Sequence, residues 1–160
     1  LAAAPDEAAR RAIRAQPYVY APSDGKVIER HHGAHFFTVG QRKGLDVGGR
    51  PEPLFVIATD TQANILYVGQ GKSHPGLYRR ALWVPARDEH WVREDLRPPL
   101  GEGVRVLSRI RYRQPLEQAT LWRTEQGAYL DFDRPQSAVT AGQFATAYLG
   151  EELFFSGPIA

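Results

Sequence analysis

The residues best suited to chemistry in this sequence run from Arg105 to Gln114, Arg-Val-Leu-Ser-Arg-Ile-Arg-Tyr-Arg-Gln. Side chains on a strand alternate between two faces, so parity sorts them. Val104, Val106, Ser108, Ile110 and Tyr112 share one face, and Arg105, Leu107, Arg109, Arg111 and Arg113 share the other. Four guanidinium groups at steps of roughly 7 Å repel one another unless carboxylates face them or a polyanion binds. Two readings stay open: an outward face neutralised by the next strand, and a track for a nucleic-acid backbone. Tyr112 within the run and Trp122 on a neighbouring strand add aromatic planes that can stack on unpaired bases or simply fill a core.

Two glycine turns are weaker candidates. In Thr140-Ala141-Gly142-Gln143 the glycine admits a left-handed backbone, and the glutamine amide both donates and accepts. In Gly40-Gln41-Arg42-Lys43-Gly44 three polar side chains project from a tight turn, which suits plain solvation or a phosphate contact. Asp131 and Asp133 share a strand face and read as partners that partly neutralise the arginine row. His31, His32 and His35 lack a cysteine partner and read as surface or half-buried histidines, with no metal assigned. No Gly-Lys-Ser/Thr phosphate loop is present, and no nucleophile is paired with a base.

The elements that position these groups are mostly strands. Leu1–Ala15 reads as a helix with Asp6 and Glu7 early and Arg14 late, complementing the helix dipole; its sparse apolar surface makes residues 1–16 a linker remnant. From Pro17 strands are expected at 18–20, 26–29 and 33–39, then a hairpin of 54–59 with 65–69. Gly71-Lys-Ser-His-Pro-Gly76 marks a boundary between a domain at 17–76 and another at 77–160. Short strands at 78–84, 104–113, 119–123, 128–132, 138–140, 144–149 and 153–155, with no helix after Leu77, describe a small barrel or sandwich. The fold class is mainly β, and no internal repeat is evident.

With 160 residues, 42% hydrophobic content and a net charge of +2, the chain reads as a soluble globular protein. Its charge is too mild to demand a polyanion. The basic surplus lies in the first 80 residues, so the arginine row stands against an acidic background. Absence of cysteine removes thiol catalysis and is compatible with a cytoplasmic protein; no apolar run approaches membrane-spanning length. Absence of methionine, even at position 1, leads us to expect a fragment or a processed product.

Four stretches in this order, Thr38–Leu45, Lys72–Pro75, Arg109–Gln114 and Ala138–Gln143, resemble the rear portion of the bacterial tRNA-specific 2-thiouridylases. The resemblance implies a small β-rich central tRNA-binding domain at 17–76. It also implies a six-stranded antiparallel β-barrel at 77–160, similar to domain II of translation elongation factors. It implies, for the parent enzyme, ATP-dependent replacement of the C2 oxygen of the wobble uridine (position 34) by sulfur from a sulfur-carrier protein. The ATP and magnesium site and the catalytic cysteines belong to an upstream domain, so this chain alone is expected to be inactive, with no cofactor or metal of its own. Carried over residue by residue, the anticodon-region tRNA contacts fall on Arg111, Tyr112 and Gln143; Gln41, Arg42 and Lys43 are a further possible contact. Two departures are Ala141, where the family has proline, and Ser156-Gly-Pro-Ile159 in place of a glycine-rich end. The alternative is a free-standing RNA-binding or translation-factor-like barrel without enzymatic activity.

Overall fold

The computed structural model describes residues 5–160, and the chain divides into two units. One is Pro17–Tyr78; the other combines Arg79–Ala160 with the segment through Gln16.

The first unit is built on one hairpin. β1 (Leu54–Asp60) pairs antiparallel with β2 (Ile65–Gln70), with a bulge between Val56 and Ala58. The connection is fixed by Asp60, whose Oδ1 accepts from the Gln62 and Ala63 amides, and by Asn64 in the left-handed region. Val56 is fully buried, and Leu54, Ile57, Ala34 and Leu77 complete the small core. Residues 17–53 are otherwise irregular, with 3₁₀ turns at Pro22–Asp24 and Ala34–Phe36. The strands expected at 18–20, 26–29 and 33–39 are therefore absent. Val19 and Val27 are more than nine-tenths exposed, so the apolar alternation there has no core to face.

The second unit is a curled sheet of seven strands. In chain order these are β3 (Tyr78–Pro85), β4 (His90–Trp91), β5 (Gly103–Arg109), β6 (Glu117–Thr124), β7 (Gly127–Ser137), β8 (Phe144–Leu149) and β9 (Glu152–Pro158). Their order across the sheet is β3-β7-β6-β5-β8-β9-β4. The count exceeds the expected six because the two-residue β4 pairs with β9. Residues 138–140 are no strand: β7 runs to Ser137 and Ala138 turns the chain with a positive φ. Beyond β9, Ala160 donates to the Trp83 carbonyl of β3 and draws the two ends of the sheet together. Phe132, Phe154, Phe155, Leu82, Leu121, Leu130 and Val84 fill the interior with almost no exposure; burial on this scale drives the closure.

The N-terminal helix α1 (Pro5–Ala15) belongs to this second unit. Residues 1–4 of the expected helix lie outside the described residues. The segment is not a frayed linker. Arg11 is 2% exposed, and its guanidinium carbon lies 4.0 Å from the centre of the Trp122 ring. Arg14 bridges Glu7 and Asp131 at 2.6 Å each. The terminal carbonyl of Ala15 accepts from Arg79 at 3.0 Å, placing a cation where the helix dipole is negative. What docks the helix is arginine chemistry rather than an apolar stripe, which is why hydropathy alone under-rates it.

Candidate nucleic-acid interface

The arginine row does not exist as a row. β5 ends at Arg109, and residues 110–114 form a loop. Arg105 lies flat on the sheet, making paired 2.8 Å bonds to both carboxylate oxygens of Asp133. The bond to Arg105 holds the Asp133 carboxyl below its ordinary range. Neutralisation by the neighbouring acid, one of the two open readings, is the fate of this residue. Asp131 instead serves α1 through Arg14.

Past Arg109 the loop is fastened at nearly every residue. The Gln114 side chain takes over the role of a strand partner: its Oε1 accepts from the Ile110 amide at 3.3 Å, and its Nε2 donates to Gln136. Arg111 Nη2 donates to the Ser137 carbonyl at 2.8 Å and the Ala138 carbonyl at 2.6 Å. Burial lowers the pKa of its guanidinium. Arg109 Nη1 donates to the Tyr112 carbonyl at 3.0 Å, and its guanidinium carbon stands 5.4 Å from the Tyr112 ring centre. Tyr112 is left at the tip, 86% exposed. Because the strand has ended, Arg111 and Tyr112 escape the parity rule and border one cleft.

The opposite wall comes from the Thr140–Gln143 turn. Gly142 has φ 87°, a conformation that favours glycine. Gln143 Oε1 accepts from the Thr140 amide at 3.0 Å, and the turn docks on the end of β9 through Gly142 N–H to the Ile159 carbonyl and Ile159 N–H to the Gln143 carbonyl. Ala141 in place of proline does not open the turn. The Gln143 amide nitrogen has no partner among the described residues. The cleft, about 380 Å³, is lined by Arg109, Ile110, Arg111, Tyr112, Gln143, Phe144 and Thr146. It thus brings together Arg111, Tyr112 and Gln143, and contains two arginines and no carboxylate. Sequence reasoning missed Phe144, which is 61% exposed at the head of β8; a phenylalanine next to a candidate contact was the available signal.

The first unit repeats the same turn. In Thr38-Val39-Gly40-Gln41, Gly40 has φ 89°, and Gln41 Oε1 accepts from the Thr38 amide at 3.2 Å. Gly40 N–H meets the Val56 carbonyl and Val56 N–H meets the Gln41 carbonyl, the same docking pair onto a strand. A four-residue Thr-x-Gly-Gln repeat was therefore present in the sequence, contrary to the reading that no repeat is evident. The glutamines differ in one bond: Gln41 Nε2 donates to the Lys43 carbonyl at 2.8 Å, so this amide nitrogen is engaged within its own turn. Arg42 and Lys43 are exposed beside an open hollow of about 760 Å³. Trp122, another candidate plane, is covered by Arg11. His31 has both ring nitrogens engaged, with the Asn64 carbonyl and the Gly33 amide, and His35 lies against Phe36.

Comparison with known proteins matches the chain along most of its length. Residues 9–70 match the tRNA methyl transferase PRC-barrel domain, and residues 84–159 match the aminomethyltransferase beta-barrel domain. The tRNA-specific 2-thiouridylase MnmA of Flavobacterium johnsoniae is 55% identical over 148 residues, covering 92% of this chain and 38% of the relative. That of Christiangramia forsetii is 55% identical over 141 residues, covering 88% and 36%. That of Pseudomonas entomophila is 43% identical over 152 residues, covering 92% and 39%. The chain spans less than two-fifths of the length of these relatives. Their high identity, together with matches in both units, shows that the chain belongs to the tRNA-specific 2-thiouridylase family.

Proposed function

We propose that this chain is the tRNA-holding portion of an ATP-dependent tRNA-uridine 2-sulfurtransferase, the enzyme that exchanges the C2 oxygen of the wobble uridine (position 34) for sulfur. The observation that carries this reading is the carboxylate-free cleft where Arg111, Tyr112 and the unpartnered Gln143 amide meet. Electropositive lining, an exposed aromatic ring and a free donor are what an RNA loop requires. The anticodon region is the part of tRNA this reading places there. Arg42 and Lys43 supply a further backbone contact from the first unit, while Gln41 shapes their turn.

In this reading sulfur transfer takes place in a part of the parent enzyme that this chain does not span. ATP, magnesium and the catalytic cysteines act there, a sulfur-carrier protein delivers the sulfur, and the whole works in the cytoplasm. No residue of this chain is assigned to ATP or to a metal, and the chain by itself transfers no sulfur.

Gln143→Glu tests the cleft without undoing the turn. The glutamate keeps an oxygen for the Thr140 amide and replaces only the free NH₂ with a second, charged oxygen. Fluorescence anisotropy with labelled tRNA should show binding by the unsubstituted 160-residue chain and affinity lower by about tenfold in the variant, a loss of roughly 1.4 kcal/mol. The melting temperature should stay put. Equal affinity of the two proteins would remove Gln143 from the interface, and failure of the unsubstituted chain to bind tRNA would remove the reading.

A further inference from the structure

We propose that the cleft is a slot for one unpaired nucleobase, stacked on the exposed rings of Tyr112 and Phe144, and not a seat for a backbone phosphate. This rests on the tRNA-binding reading above and names what part of the RNA the cleft receives.

A phosphate seat needs several free donors converging on one point. Here each arginine turns two of its five N–H donors to the protein itself, which ties its guanidinium to the loop and the sheet rather than leaving it to converge on a ligand. Arg111 Nη2 holds two main-chain carbonyls. Arg109 holds the Tyr112 carbonyl and reaches the Tyr148 hydroxyl at 3.4 Å. What the cleft offers outward is aromatic: Tyr112 at 86% exposure and Phe144 at 61%. Neither ring lies against another ring among the described residues. Two uncovered aromatic side chains on one small cleft, in a sheet whose other phenylalanines are fully buried, mark a binding surface rather than an idle one. Every base has a π-face, and stacking on such rings is the common currency of unpaired-base recognition.

The remaining lining fits a base edge. Gln143 presents an amide NH₂ whose oxygen is already fixed by the Thr140 amide, so the donor is held at one position. Such a donor suits a ring nitrogen or carbonyl of a base. The loop is pre-ordered by Gln114, Arg111 and Arg109, so Tyr112 loses little freedom on stacking. Arg109, 5.4 Å from the Tyr112 ring centre, acts as a positioning residue for that ring. The absence of any carboxylate from the lining removes the repulsion an anionic chain would meet on entry.

The test uses the 160-residue chain and two RNA hairpins, with 2-aminopurine placed in the loop of one and in the stem of the other. Phe144→Leu and Tyr112→Leu keep apolar bulk at exposed positions and remove the aromatic plane. Loop 2-aminopurine should be quenched on binding and stem 2-aminopurine should not. Each leucine variant should weaken loop-hairpin binding about tenfold, abolish the quenching and leave the salt dependence of binding unchanged. Tight binding with unaltered affinity in both variants would overturn the slot while leaving RNA binding in place. Quenching in the stem hairpin as strong as in the loop would also overturn it. Capture of an acidic peptide in place of either RNA by the unsubstituted chain would overturn the slot and the RNA reading together.

Discussion

Gln41 and Gln143 sit in the same turn and differ by one hydrogen bond. Both amide oxygens close the turn on a threonine amide, but only Gln41 also spends its nitrogen, on the Lys43 carbonyl. The Gln41 amide is therefore engaged in its turn through both oxygen and nitrogen, and the Gln143 amide through its oxygen alone. Arg111 raises the same division in sharper form. Its guanidinium ties the 110–114 loop to the Ser137 and Ala138 carbonyls, so Arg111→Ala removes a brace as well as a cation. All three tryptophans lie in the β-sheet unit, at 83, 91 and 122, so tryptophan emission reports that unit alone. In a denaturant titration followed that way, Arg111→Ala should lose about 1–2 kcal/mol, the value of charged hydrogen bonds discounted for partial exposure. An unchanged midpoint would show that the loop holds its shape without Arg111. A loss of tRNA affinity in this variant is thus ambiguous by itself, which is why Gln143→Glu and the two leucine variants are the cleaner probes.

At the scale of elements, α1 is held to the sheet by side chains rather than by an apolar face. Arg11 covers Trp122, and Arg14 is clasped between Glu7 and Asp131. Asp131→Ala should release the helix. Trypsin should then cut after Arg10, Arg11 or Arg14 faster, and Trp122 should emit at longer wavelength as its guanidinium cover departs. Unchanged cleavage would show that Arg11 over Trp122 and the Arg79 bond to the Ala15 carbonyl suffice without Arg14. This docking also marks where sequence reading stops. The strands from β6 to β9 were legible because turn residues separate short strand-forming runs, and the β1–β2 hairpin because residues 54–58 form a continuous apolar run followed by a turn. The end of β5 was not, because Gln114 is as compatible with a strand as with the side-chain bond that replaces one. The segments 18–20 and 26–29 misled for the opposite reason: they alternate properly but meet no partner strand, and only Tyr20, stacked on Tyr67, and Ile28 are half-buried. Of the site, Arg111, Tyr112 and Gln143 came from the family resemblance. Phe144 came from its exposure in the structure, its one sequence signal being its place beside Gln143.

For the whole molecule the question is which cations remain free for an RNA backbone once internal pairs are counted. Arg105 is bound to Asp133, Arg14 to Glu7 and Asp131, and Arg93 to Asp95 and Glu152. Exposed cations without a hydrogen bond or ion pair among the described residues include Arg113, beside Tyr112, and Arg42 with Lys43 in the first unit. Each phosphate contact on a single strand contributes about 0.7 to the slope of log affinity against log salt. Arg113→Ala, Arg42→Ala and Lys43→Ala should therefore each lower the slope for tRNA by roughly that amount and weaken binding to all RNA sequences alike. Arg105→Ala should leave the slope unchanged, since its charge is already met at Asp133. Strand parity by itself puts Arg105 and Arg113 on an equal footing in a row of four, while the family resemblance points to the strand's end at Arg111 and Tyr112. Anisotropy titrations across a range of potassium chloride concentrations decide between that equality and the division drawn from the structure. A slope that falls as much for Arg105→Ala as for Arg113→Ala would restore the row as a continuous track and displace the loop from its leading role.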